Sequence, residues 1–188
     1  MQTNFHNTPA GIFPTDARTN LFACASTKKV FFLKKGEVKS FKELPVSFKR
    51  EILKRFLADP CARKELGNLG YNAGLEKFAK CMYGSLDHVA DFCEDGILQE
   101  PDNYRCSNNC QCLFWKSKNI TYNKKAFSVK QLQVIDLIAK GISDKCIADE
   151  LSISIPTLSD YKKRIQDKLN TFCKTSTAVK AIKYKIVR

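Results

Sequence analysis

The stretch FSVKQLQVIDLIAKGISDKCIADELSISIPTLSDYKKRIQDKL, residues 127–169, decides the fold, because start and stop signals for three helices follow one another in it. Ser128 is an N-cap residue with Gln131 three positions on, a capping box. Phe127 and Leu132 flank the cap as a hydrophobic staple. Val134, Ile135, Leu137 and Ile138 give this helix an apolar stripe, and Gly141 offers the left-handed backbone at its exit. Ser143 caps a short second helix, DKCIADEL, whose Ile147, Ala148 and Leu151 face inward, the small Ala148 allowing close approach of a neighbour. Ser154 caps the third helix, and Pro156 falls in its first turn, where a missing N–H costs no intrahelical bond. Leu158, Ile165 and Leu169, with Tyr161 between them, line one face. Ser159, Asp160, Lys163 and Asp167 line the other, flanked by Lys162 and Arg164. Asn170 suits a left-handed exit. A last helix is expected over roughly 176–186, carrying Ala178, Val179, Ala181, Ile182 and Ile186.

This order of caps and small residues resembles the LuxR-type helix-turn-helix domain. The residues that carry the resemblance are those quoted, followed by AVKAI, about a third of the chain. Cys146 departs from the usual Glu, Asn170 from the usual Gly, and the loop TFCKTS is about two residues long for the family. The resemblance implies a four-helix domain at 127–188 that binds double-stranded DNA with helix 155–169 in the major groove. Carried onto this sequence, it puts base-edge contacts on Ser159, Asp160 and Lys163, and phosphate contacts on Lys145, Thr157, Lys162 and Lys168. The chemistry suits those roles, since lysine donates to guanine O6 and N7 and a carboxylate accepts from cytosine N4. The competing account of Asp160 is an i,i+4 pair with Arg164. The family also implies a homodimer.

The rest of the chain sets the context. Its 188 residues carry 32 Lys and Arg against 19 Asp and Glu, a net charge of +13, which favours a polyanionic partner. The surplus lies in residues 28–64 and 127–188, whereas residues 65–126 are close to neutral. No apolar run is long enough to span a membrane and no signal peptide is evident, so a cytoplasmic protein without a membrane partner is expected. Residues 1–27 read as a flexible arm, and VFFLKKGEVKSF (30–41) as a hairpin. A helix follows Pro45 with Phe48, Ile52, Leu53 and Phe56 on one face and Lys49, Arg50, Lys54 and Arg55 around the other. Residues 117–126 read as a polar linker. The expected fold is mainly α: a small α+β cysteine-containing region over 28–116, then the helix-turn-helix domain.

Nine cysteines in a chain expected to meet a reducing compartment point to metal before disulfides. The Cys-x3-Cys-x-Cys run of Cys106, Cys110 and Cys112, joined by Cys81, with Cys93 as the alternative, offers four soft ligands for zinc. An iron–sulfur cluster, a redox switch or no metal at all are the other readings. KCMYG (80–84) and the Cys106 to Cys112 spacing are similar to a cysteine-bearing region of some bacterial and prophage regulators, although a further downstream cysteine is missing. Cys24, Cys61, Cys146 and Cys173 are expected to be ordinary small apolar residues, and His88 a surface histidine.

The sequence has no phosphate-binding glycine loop, nucleophile elbow or His-Glu-x-x-His pattern, so no enzyme is expected. The leading expectation is a sequence-specific DNA-binding transcriptional regulator. The alternatives are a protein-interaction adaptor, or a sigma-region-four-like factor acting on RNA polymerase.

Overall fold

The structure, a computed structural model, describes residues 8–107 and 109–187. These form two compact units: residues up to Tyr104 together with Phe114–Lys118, and Arg105–Leu113 together with Asn119 onward.

The first unit is built on an antiparallel sheet in the order β1 (Thr19–Ala23), β2 (Val30–Lys34), β3 (Glu37–Ser40). Leu21 pairs with Phe32, and Leu33 with Val38. The β2–β3 turn is Lys35-Gly36, both at positive φ, as a two-residue hairpin turn with right-handed strand twist requires. Three helices follow: α1 (Val46–Ala58), α2 (Pro60–Leu66) and α3 (Tyr71–Met82), with α3 packed on β1 and β2. In α1 the buried residues are Phe48 and Ile52, half the face expected from the pattern. Phe56 and Trp115 both meet the ring of Phe78 on α3, with centroids 5.1 and 5.5 Å away.

Two expectations are corrected here. Residues 1–27 are not an arm throughout: Ala10, Thr19, Asn20 and Leu21 are fully buried and β1 is an integral strand. The first seven residues of that expected arm lie outside the described residues. Nor is 117–126 a linker. Ser117 and Lys118 belong to the first unit, and Thr121–Tyr122 (β4) pairs with Lys125–Ala126 (β5) in the second. The turn between them, Asn123-Lys124, has positive φ at both positions.

The second unit's helices are α4 (Val129–Ala139), α5 (Asp144–Leu151), α6 (Ile155–Leu169) and α7 (Lys174–Lys183). The predicted caps form as hydrogen bonds. Ser128 accepts from the Gln131 amide with the reciprocal bond present, Ser143 accepts from Cys146, and Ser154 from Thr157. Gly141 has φ +76° and Asn170 closes α6 in the left-handed conformation. Leu132, Ile135, Ile147, Leu158, Ile165 and Leu169 meet in one core. Burying each such side chain contributes about 1.5–3 kcal/mol. The last helix starts two residues earlier than expected, and Val179 and Ile182 lie outward, 60% and 57% exposed. No helix among the described residues is long and apolar enough to cross a membrane.

Candidate nucleic-acid interface and thiol group

The exposed side of α6 follows from what holds its other side. Leu158, Ile165 and Leu169 are buried and Tyr161 is packed against the same core, so Ser159, Asp160 and Lys163 project outward. Lys145, on α5, is also exposed, as is Thr157, whose hydroxyl lies 2.8 Å from that of Ser154. Among the described residues no ion pair joins Asp160 to Arg164, which leaves that carboxylate on the open face.

Two of the seven candidate residues are engaged inside the domain. The Lys162 ammonium pairs with Asp144 at the start of α5, and Lys174 pairs with the same carboxylate at 3.2 Å. Asp144 therefore ties α5 to α6 and α7. Its hydrogen bond from Lys162, against some burial, and then that from Lys174 hold its carboxyl below the ordinary carboxylate value. Lys168 donates to the Ala126 carbonyl and to Gln131 Oε1, each at 2.7 Å, and sits over the Phe127 ring. Burial and then the nearby Arg164 lower its pKa. Expected as phosphate contacts, Lys162 and Lys168 are joints between elements. Helical spacing assigns a residue to a face but does not show that a partner on another element has claimed it.

Sequence reasoning missed Arg105. Its guanidinium, 1% exposed, makes two 2.7 Å bonds to the carboxylate of Asp136 on α4, and donates to the Ile186 carbonyl at 3.0 Å. The only signal was Asp136 itself, an acid between the core residues Ile135 and Leu137. Leu113, at the other end of the same segment, enters the helical core.

That segment carries three thiols. The sulfurs of Cys106, Cys110 and Cys112 lie within 4.8 Å of one another, with Cys112 buried and the other two half-buried. In a tetrahedron of sulfurs about 2.3 Å from zinc, neighbouring sulfurs are about 3.8 Å apart, so contraction of up to about 1 Å brings the trio into a metal's first shell. Cys93 is not part of this group. Its backbone forms a turn instead, bonded to Gly96 and Ile97.

In the first unit, Cys81 is buried in the last turn of α3. The chain on either side of the thiol-bearing segment is tied to that turn: the Asp102 amide donates to the Met82 carbonyl at 2.9 Å, and Lys118 Nζ donates to the Cys81 carbonyl at 2.6 Å. Tyr104 lies so close to Gly84 that a Cβ there would meet its ring at 2.4 Å, which only glycine permits.

The remaining cysteines differ from expectation. Cys61, Cys146 and Cys173 are exposed rather than packed. Cys24 is half-buried, and hydrogen bonds from Ser26 and then Thr27 lower its thiol to about 6. His88 is exposed.

The four helices, with a capped short helix leading into an outward-facing α6, define a helix-turn-helix module. Residues 125–181 match the family model of bacterial regulatory proteins, luxR family, and this part of the chain is a LuxR-family helix-turn-helix domain. The same region is 36% identical over 63 residues to the oxygen regulatory protein NreC of Staphylococcus epidermidis, covering 34% of this chain and 29% of that protein. It is 35% identical over 63 residues to NreC of Staphylococcus carnosus, with the same coverage of 34% and 29%. With NreC of Staphylococcus aureus the identity is 35% over 69 residues, covering 37% of this chain and 32% of that protein. The chain thus spans less than a third of the length of these relatives. No solved structure matches.

Proposed function

We propose that the chain is a sequence-specific DNA-binding transcriptional regulator that reads the major groove with α6. The observation that carries the reading is the open face of α6, where Ser159, Asp160 and Lys163 stand exposed together, with no ion pair to Asp160 or Lys163 among the described residues, on a helix whose other side is fixed in the core. Ser159, Asp160 and Lys163 read base edges, and Lys145 and Thr157 meet phosphate. Lys162 and Lys168 brace the domain, and reach phosphate only by giving up their present bonds. Selection from random and genomic DNA across a salt series tests this. A reader enriches one sequence and loses affinity steeply with salt. If nothing enriches, the adaptor or sigma-like reading at RNA polymerase replaces it.

The reading includes a homodimer through α7. It is supported by the outward Val179 and Ile182, with Phe172 98% exposed in the preceding loop. Two half-sites about 34 Å apart follow from such a dimer. Sedimentation of the full chain checks the dimer, and a Val179→Glu/Ile182→Glu variant is expected to be monomeric.

The thiols of Cys106, Cys110 and Cys112, completed by Cys81, are read as a structural zinc site. All-sulfur donors suit zinc or an iron–sulfur cluster, and the absorption spectrum of purified protein separates the two. Elemental analysis tests the site: about one equivalent of zinc is expected, and less than about a tenth removes it.

A further inference from the structure

Arg105 is bonded to Cys106 in sequence, and Leu113 to Cys112. The three thiols therefore lie between two residues that both belong to the interior of the helix-turn-helix unit. Arg105 grips Asp136 on α4 through two 2.7 Å bonds and also reaches the carbonyl of Ile186, just beyond α7. Leu113 fills part of the core shared by α4 and α6. Between them run only seven residues, three of them cysteines. Arg105 cannot hold its two-pronged geometry unless its backbone is fixed, and Cys106 and Cys110 lie outside any helix or strand, ahead of the short 3-10 helix Gln111–Phe114 that carries Cys112 and Leu113.

We propose that Arg105–Leu113 is a metal-dependent clamp on the DNA-binding domain: a thiophilic divalent cation of the zinc class, bound by the cysteines of this segment, orders the loop and thereby seats Arg105 against α4 and the end of α7. The inference rests on the zinc reading given above and deepens it by assigning the site an effect on DNA binding. On binding, each ligating thiol gives its proton to solvent and its sulfur to the metal, with no oxidation or reduction. Loss of the metal frees the loop, and the Arg105–Asp136 contact then has to be held without a fixed backbone. Helix α4 supports α6, so loosening α4 weakens the presentation of the reading face.

The test uses the full-length chain under reductant, zinc-loaded or stripped with a chelator. Two quantities are read: affinity for the DNA sequence recovered by selection, and amide hydrogen exchange helix by helix. Zinc removal is expected to lower DNA affinity by about tenfold or more and to speed exchange in α4 and at Ile186, while α1 in the other unit keeps its protection. A double variant, Arg105→Met with Asp136→Leu, removes both charges together and fills their space. It is expected to retain zinc and to lose the response of affinity and of α4 exchange to zinc. If circular dichroism shows the double variant unfolded, the exchange of α4 in wild type with and without zinc decides alone.

Unchanged exchange in α4 of zinc-stripped wild type overturns the clamp, as does a variant that responds as fully as wild type. A chain that binds no zinc removes the metal reading and the clamp together and leaves the DNA reading standing. If no DNA sequence is enriched, the exchange measurement still decides for or against the clamp.

Discussion

The Arg105 guanidinium and the Asp136 carboxylate face each other through two 2.7 Å hydrogen bonds, the side chains 1% and 6% exposed. Removing one member strands the other as a buried charge. Arg105→Ala or Asp136→Ala is expected to destabilise the second unit by about 3–5 kcal/mol, and the paired Arg105→Met/Asp136→Leu change by far less. Urea denaturation of the three variants checks this. Equal losses in single and double variants would mean that packing, not charge pairing, sets the cost.

Lys163 and Lys145 are predicted to differ in kind. Lys163→Ala relaxes preference at one base position, with a loss of about 1–3 kcal/mol on the selected sequence. Lys145→Ala weakens binding to every sequence alike and lowers the salt slope by about one per bound protomer. Binding isotherms on matched and mismatched duplexes at several salt concentrations separate the two.

Lys168→Met is expected to act through folding. It deletes the 2.7 Å bonds to the Ala126 carbonyl and to Gln131 Oε1. The expected loss is about 1–2 kcal/mol of stability, with an unchanged salt slope for DNA. A reduced slope with unaltered stability would instead return Lys168 to the phosphate-contacting set.

Two carboxyls give pH dependences of opposite sign. Burial, and then the neighbouring Asp102 carboxylate, push Asp91 well above the ordinary value of 3.8, while its Oδ2 accepts from the Leu21 amide at 2.6 Å. The folded state holds that proton more tightly than the unfolded chain does. This contribution is complete below the unfolded value and is lost as pH rises through the raised one. Asp91→Asn, which keeps an acceptor for Leu21, should flatten that limb in urea midpoints taken from pH 4 to 8. Asp144 is held below 3.8 by Lys162 and Lys174, so its contribution is present above 3.8 and disappears as pH falls through the lowered value. Asp144→Asn should remove that acid-side loss, which is read in the same titration extended to lower pH.

What was legible in advance was local. The caps at Ser128, Ser143 and Ser154 and the exit at Asn170 depend on residues within four positions, and a run of such signals orders three helices before any tertiary contact is considered. The strand at Thr19–Ala23 was not legible, because a five-residue segment becomes a strand only when β2 lies beside it. The turn at Asn123-Lys124 had a signal, since Asn tolerates positive φ, but Ile120 and Phe127 become its buried flanks only inside the helical core.

The sequence alone determined that residues 127–169 make a helix-turn-helix and which face of α6 is apolar, because periodicity and capping are properties of neighbours along the chain. Tertiary structure decided which polar residues remain on the open face. Asp160 stands without Arg164, whereas Lys162 and Lys168 are taken by Asp144 and Gln131, and Asp136 is buried because Arg105 reaches it across 31 positions. The physical reason is that a charged side chain's role is set by the counter-charge or carbonyl nearest in space, and folding brings that group from a distant part of the chain.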